Sequence, residues 1–128
     1  MAIGTTTQNR TPATSFRDLR VWKGAIVLVK EIYSVTGCFP GSELFGLTRQ
    51  MQRAAVSIPS NVAEGYAREH RKEYLQFLAI AQGSLAELET QLEIAFQLDY
   101  LNPDQLVMVR RKSTTVGKQL RSLRNSLR

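Results

Sequence analysis

The stretch Ser57-Ile58-Pro59-Ser60-Asn61-Val62-Ala63-Glu64-Gly65 decides how this chain folds. Before it, Leu44, Leu47, Met51, Ala55 and Ile58 recur at three- and four-residue steps, and Val62 carries the series past the proline. That spacing lays one apolar seam along a helix. Proline has no backbone donor and clashes with the carbonyl four residues back, which costs about 3 kcal/mol in a helix interior. The stretch therefore predicts a second helix kinked at Pro59, or two short helices stacked end to end. The helix is expected to start near Ser42, a candidate cap, with Glu43 suited to its dipole and Gly65 at its end. Gly46 leaves that start movable by a turn.

Around the proline, Arg49, Arg53, Ser57, Ser60 and Glu64 line one polar face at helical spacing. Ser57 is placed to bond back to the carbonyl of Arg53 and ease the bend. Asn61 is placed to satisfy backbone groups that the proline frees. One reading is an inward-facing functional surface. The other, which we take, is a network that holds the kink and an assembly interface.

Working outward, the first helix is expected over about 16–35. Leu19, Trp22, Ile26, Val29 and Tyr33 form one seam. Val21, Ala25, Leu28, Ile32 and Val35 form a second at the same spacing. A helix in a small bundle needs one stripe. The second seam, with Val21, Leu28, Ile32 and Val35, is expected to face another subunit. Gly37 closes the helix and Phe39-Pro40-Gly41 makes the turn.

The third helix is expected over about 70–98. Tyr74, Phe77, Leu78, Ala81, Leu85, Leu88, Leu92, Ala95 and Phe96 form its core stripe. Ile80, Ile94 and Leu98 form a smaller, surplus group. Asn102-Pro103-Asp104 starts the fourth helix with a cap, a proline at the first position and an acid in the first turn. Leu106, Val109, Ser113, Val116, Leu120, Leu123 and Leu127 continue it. No segment alternates like a strand. Long helices joined by short loops predict an all-α, antiparallel up-down four-helix bundle. Residues 1–15 are Thr-rich with one charge and are expected to be a disordered tail, leaving 16–128 as a single bundle domain.

The 128 residues carry a formal net charge of +6. The excess gathers at the end: residues 100–128 hold seven basic side chains against one acid, Asp104. On the fourth helix Arg110, Arg121, Arg124 and Arg128 fall within about 60° of one another at ~100° per residue. Arg111 and Lys118 form a second ridge. Guanidinium forks suit phosphate oxygens. The same cations also complement a helix C-terminus. No aromatic interleaves them, so base stacking has no support on this helix.

Catalytic and metal constellations are missing from the sequence. His70 is the only histidine, and a metal site needs three or four converging ligands. Cys38 has no histidine partner and stands alone, so no internal disulfide is possible, which fits a reducing cytoplasm. Glu87, Glu89 and Glu93 lack the Glu-x-x-His signature of a di-metal bundle. We read no enzyme, no cofactor and no membrane span.

Several blocks together resemble one family. They are Phe16-Arg17-Asp18-Leu19 with Val21-Trp22-Lys23, then Phe39-Pro40 with Glu43, Leu47-Thr48, Gln50 and Arg53-Ala54-Ala55. The Pro59 stretch follows, and then Gly83-Ser84-Leu85-Ala86-Glu87-Leu88-Glu89-Thr90-Gln91-Leu92. Over roughly residues 16–125 the chain is similar to the 23S rRNA intervening-sequence proteins. The resemblance implies a four-helix bundle that assembles as a ring-like homopentamer. Related accessory proteins of diversity-generating retroelements form basic pentamers that bind nucleic acid and a reverse transcriptase, so both are implied partners. The family offers no catalytic residues to carry over.

Overall fold

The computed structural model describes residues 14–128. Four helices account for most of them: α1 (Arg20–Thr36), α2 (Leu47–Tyr66), α3 (Arg71–Gln97) and α4 (Pro103–Ser126). The described residues contain no strand, so the fold is all-α. Each helix packs on its sequence neighbours and α1 also packs on α4, closing a ring of four contacts around one core. The tail assigned to 1–15 falls outside the described residues except for Thr14 and Ser15. Both of these belong to the entry of α1. Ser15 Oγ accepts from the Arg17 amide at 3.1 Å, and Asp18 takes two bonds from Thr14 at 3.1 Å each. Those bonds hold the exposed Asp18 carboxyl below its usual range, the Thr14 amide contributing most.

The entry to α1 is a single 3-10 turn, Phe16–Asp18, and the α-helix begins only at Arg20. Its two seams change places relative to the sequence expectation. Val21, Leu28, Ile32 and Val35 are 0–3% exposed inside the protomer's own core, so none presents surface to a second copy. The assignment of these four to a subunit contact is corrected. Trp22, Val29 and Leu19 are half-buried against that core, and Tyr33 is exposed. The two seams have the same period, and only side-chain chemistry separates them. The outer seam holds Trp22 and Tyr33, whose polar atoms favour a wet edge.

α2 runs unbroken through Pro59, so the alternative of two stacked helices does not hold. It begins at Leu47, later than Ser42, because residues 41–43 form a separate 3-10 turn. Glu43 still serves the helix start: its Oε1 accepts the Leu47 amide at 3.2 Å. Its Oε2 accepts the Tyr100 hydroxyl at 2.9 Å, tying this turn to the α3–α4 connection. That bond holds the Tyr100 phenol above its ordinary pKa.

Gly65 lies within the last turn of α2, and its bare backbone is what lets α3 approach. A Cβ built there would lie 2.8 Å from Phe77 Cβ and 3.2 Å from the Tyr74 carbonyl oxygen. α3 closes with Asp99 at φ 63°, and the Tyr100 amide returns to the Ala95 carbonyl at 2.9 Å. This is a left-handed closure that glycine usually provides. α4 opens as its sequence predicts, with a reciprocal capping box. Asn102 Oδ1 accepts from the Gln105 amide at 2.8 Å, and Gln105 Oε1 accepts from the Asn102 amide at 2.9 Å.

Candidate nucleic-acid interface

α4 was the expected carrier of the basic edge, and the structure divides that edge in two. Arg110 forms an ion pair with Glu93 of α3. Arg124 is half-buried and donates to Gln82 Oε1 at 3.2 Å, with its Nε buried. These two guanidiniums brace α3 against α4. Arg111, Lys118, Arg121 and Arg128 are exposed, and among the described residues none has an acidic partner within 4.0 Å. They form the available basic surface. The core beneath them is polar at one point. Ser113 is fully buried and donates to Glu89 Oε2 at 2.6 Å. The sequence pattern places Ser113 within the core series of the fourth helix, and its burial agrees with that place.

Glu87, Glu89 and Glu93 of α3 are turned to separate partners. Glu93 meets Arg110, Glu89 meets Ser113, and Glu87 Oε2 accepts from Gln91 Nε2 at 3.2 Å. Among the described residues no three His, Cys, Asp or Glu side chains converge as a metal site would require. His70 is the exposed residue preceding α3, and Cys38 is exposed in the turn after α1.

The polar face of α2 also divides. Ser57 turns toward α3, where its Oγ lies 2.8 Å from Ser84 Oγ. Asn61 Nδ2 donates to the Ser57 carbonyl at 2.8 Å and to Ser57 Oγ at 3.0 Å. The expected bonds are thus redirected. Ser57 engages a neighbouring helix rather than Arg53. Asn61 reaches the carbonyl of Ser57, whereas the carbonyl four residues before Pro59 belongs to Ala55. The result is a Ser57–Asn61–Ser84 cluster that joins the Pro59 stretch to the Gly83–Leu92 block. Glu64 pairs at 3.6 Å with Arg68, two residues past the end of α2, and Ser60 is exposed.

Two concavities open beside this face. Arg53, Ser57, Gln50, Ser84 and Glu87 line a groove of about 270 Å³ between α2 and α3. Tyr33, Arg49, Gln52, Arg53, Val56 and Ser57 line a cleft of about 420 Å³ on the α1–α2 side. The sequence did not associate Tyr33 with the two arginines. The link runs through packing of α1 on α2, which no local pattern encodes.

These features define a class: small, basic, all-α proteins of four helices with an unneutralised cationic surface. The chain matches the family model described as 23S rRNA-intervening sequence protein over residues 17–122, and it belongs to that family. Its fold is similar to that in a crystal structure from Bacteroides thetaiotaomicron, a protein of unknown function from the S23 ribosomal protein family. The TM-score is 0.76 at 23% identity, covering 82% of this chain and 95% of the other. No curated protein matches the chain in sequence. Among the described residues no helix is long and apolar enough to cross a membrane.

Proposed function

We propose that this chain is a non-enzymatic, basic four-helix bundle of antiparallel up-down topology, bent at Pro59, which assembles as a ring-like homopentamer and binds nucleic acid. Side-chain pairs between α3 and α4 support the topology: Glu93 with Arg110, Glu89 with Ser113, Gln82 with Arg124. As one number falls the other rises. Assembly is supported by apolar surface outside the core. Ile80, Ile94 and Leu98 on and just beyond α3 are 52%, 44% and 50% exposed. Burying such surface between copies is the usual remedy.

The observation that carries the nucleic-acid reading is the set of four exposed cations without acidic partners, Arg111, Lys118 and Arg121 on α4 and Arg128 just past it. Repeated around a ring, that surface would meet a phosphate backbone at many points. RNA and DNA both satisfy this chemistry. The family resemblance extends the role to service of a reverse transcriptase in a diversity-generating retroelement, in the cytoplasm. If the oligomer is instead a scaffold for a protein partner, the charge serves solubility.

A salt titration of binding to a structured RNA tests this. Phosphate contacts release counterions, so affinity should fall steeply and log-linearly with salt. Lys118→Glu with Arg121→Glu should weaken binding and shallow the slope by about 2, roughly one per lost contact. The helical circular dichroism should be unchanged. Equal affinity and slope in the variant would remove α4 as the site. No binding by the parent protein, with a reverse transcriptase recovered from the native host, would favour the scaffold.

A further inference from the structure

We infer that the cleft between α1 and α2 holds an unstacked base of a single-stranded nucleic acid, with Tyr33 as the stacking surface and Arg49 and Arg53 as phosphate contacts. The inference rests on the nucleic-acid reading above and adds a second, strand-selective subsite away from α4.

Tyr33 is 49% exposed, an amphipathic ring standing at the wall of a cleft of about 420 Å³. That volume falls within the range of small-molecule sites. Arg49 and Arg53 lie one helical turn apart on the opposite wall, where like charges disfavour each other. Among the described residues neither has a carboxylate within 4.0 Å. Arg110, by contrast, is neutralised by Glu93. An anion between the two arginines would relieve their repulsion, and a forked guanidinium suits a phosphate. Arg49 also lies over the ring of Phe45 at 5.4 Å, so its fork is backed by an aromatic face. Phe45 itself is 78% exposed and lies outside the cleft lining, its ring meeting Arg49 alone among the cleft's cations.

Gln52 completes the cleft. Its Nε2 donates to Thr36 Oγ1 at 3.1 Å, and Thr36 in turn donates to the Ile32 carbonyl at 2.7 Å. The amide is therefore held in place, and its oxygen has no hydrogen-bond partner among the described residues. It is an acceptor available to a base edge. A ring, two forks and a fixed acceptor are the parts that single-strand binders use, because an aromatic face can stack only on a base that has left its duplex. α4 carries no aromatic among its exposed cations, so duplex and single strand should be told apart by the α1–α2 cleft alone.

The experiment compares a labelled single-stranded oligoribonucleotide with a duplex of the same length, by fluorescence anisotropy at fixed moderate salt. Tyr33→Leu should weaken single-strand binding by about 5- to 150-fold, the range for one lost stacking contact. Duplex affinity should stay within twofold. Tyr33→Phe should bind the single strand like the parent, because the ring is kept. Arg53→Gln should weaken single-strand binding and reduce its salt dependence. Equal single-strand affinity in Tyr33→Leu overturns the inference while leaving the α4 reading standing. A fall in oligomer mass for Tyr33→Leu also overturns it, because the cleft would then be a contact between copies. A parent protein that binds neither oligonucleotide overturns both readings.

Discussion

Gly65 shows how one missing side chain sets the distance between two helices. In an ordinary exposed helix position, alanine would be favoured over glycine by about 1 kcal/mol. Here a Cβ would stand 2.8 Å from Phe77 Cβ and close to the Tyr74 backbone, atoms that cannot swing aside. Gly65→Ala should therefore lose about 1–3 kcal/mol, the usual cost of overpacking. Urea denaturation reads this as a lower midpoint with an unchanged slope. A midpoint at or above the parent's would mean that α2 and α3 separate more easily than their contacts suggest. Tyr74, against the same glycine, sets a pH limit. Its hydroxyl is buried without a hydrogen-bond partner among the described residues, edge-on to Tyr66. Burial, assisted by Tyr66, pushes its pKa from 10.0 to about 12. The folded state thus keeps a proton that the unfolded chain releases near pH 10. The stabilisation is complete below pH 10 and is lost as pH rises through about 12. Tyr74→Phe should be neutral or stabilising at pH 7, since it removes an unpaired buried hydroxyl. Thermal unfolding followed from pH 9 to 12 should show the parent losing more stability than the variant. Parallel losses in the two proteins would rule Tyr74 out as the group responsible.

At the scale of the element, legibility follows the range of the signal. The start of α4 was readable because Asn102, Pro103 and Gln105 act within one turn, and the capping box forms as their order implies. The four helices were readable because apolar spacing is a local property. The start of α2 was not, because Glu43 caps it from within a separate 3-10 turn, across Gly46. The polar cluster near Pro59 was half readable. Its residues were named, but Ser57 finds its partner on α3, 27 positions away. Of the six basic residues singled out on and just past α4, Arg110 and Arg124 are drawn to α3 by Glu93 and Gln82. A helical wheel gives the angle of a side chain but not its partner across a groove. The available surface is consequently narrower than the sequence suggested, and shifted toward Arg111 and Lys118. The Tyr33 cleft was not legible at all, since its walls come from two helices.

For the whole molecule, the exchange of seams on α1 changes how assembly must be tested. Leu28 and Ile32 are fully buried inside one protomer, with no face left for a neighbour. An unpaired carboxylate there has no water and no cation, and carries a desolvation cost of several kcal/mol. Leu28→Asp should therefore unfold the chain, with loss of helical circular dichroism, rather than release folded subunits. In the proposed assembly the contact between copies would fall instead to apolar side chains that the single chain leaves outside, with Ile80 and Ile94 foremost on α3. Residues 14 apart fall within about 40° of each other around a helix, so these two can meet one partner surface together. Ile80→Asp with Ile94→Asp places charge where water is already present in a single protomer, and the fold should survive with its far-ultraviolet spectrum intact. Assembly should not survive: burying two carboxylates between copies costs more than the apolar contact they replace supplied. Light scattering coupled to size-exclusion chromatography should show the double variant at a smaller mass than the parent. Parent-like mass with a parent-like spectrum would move the subunit contact off this stripe, and the exposed Val107 and Met108 of α4 would be the next apolar surface to substitute.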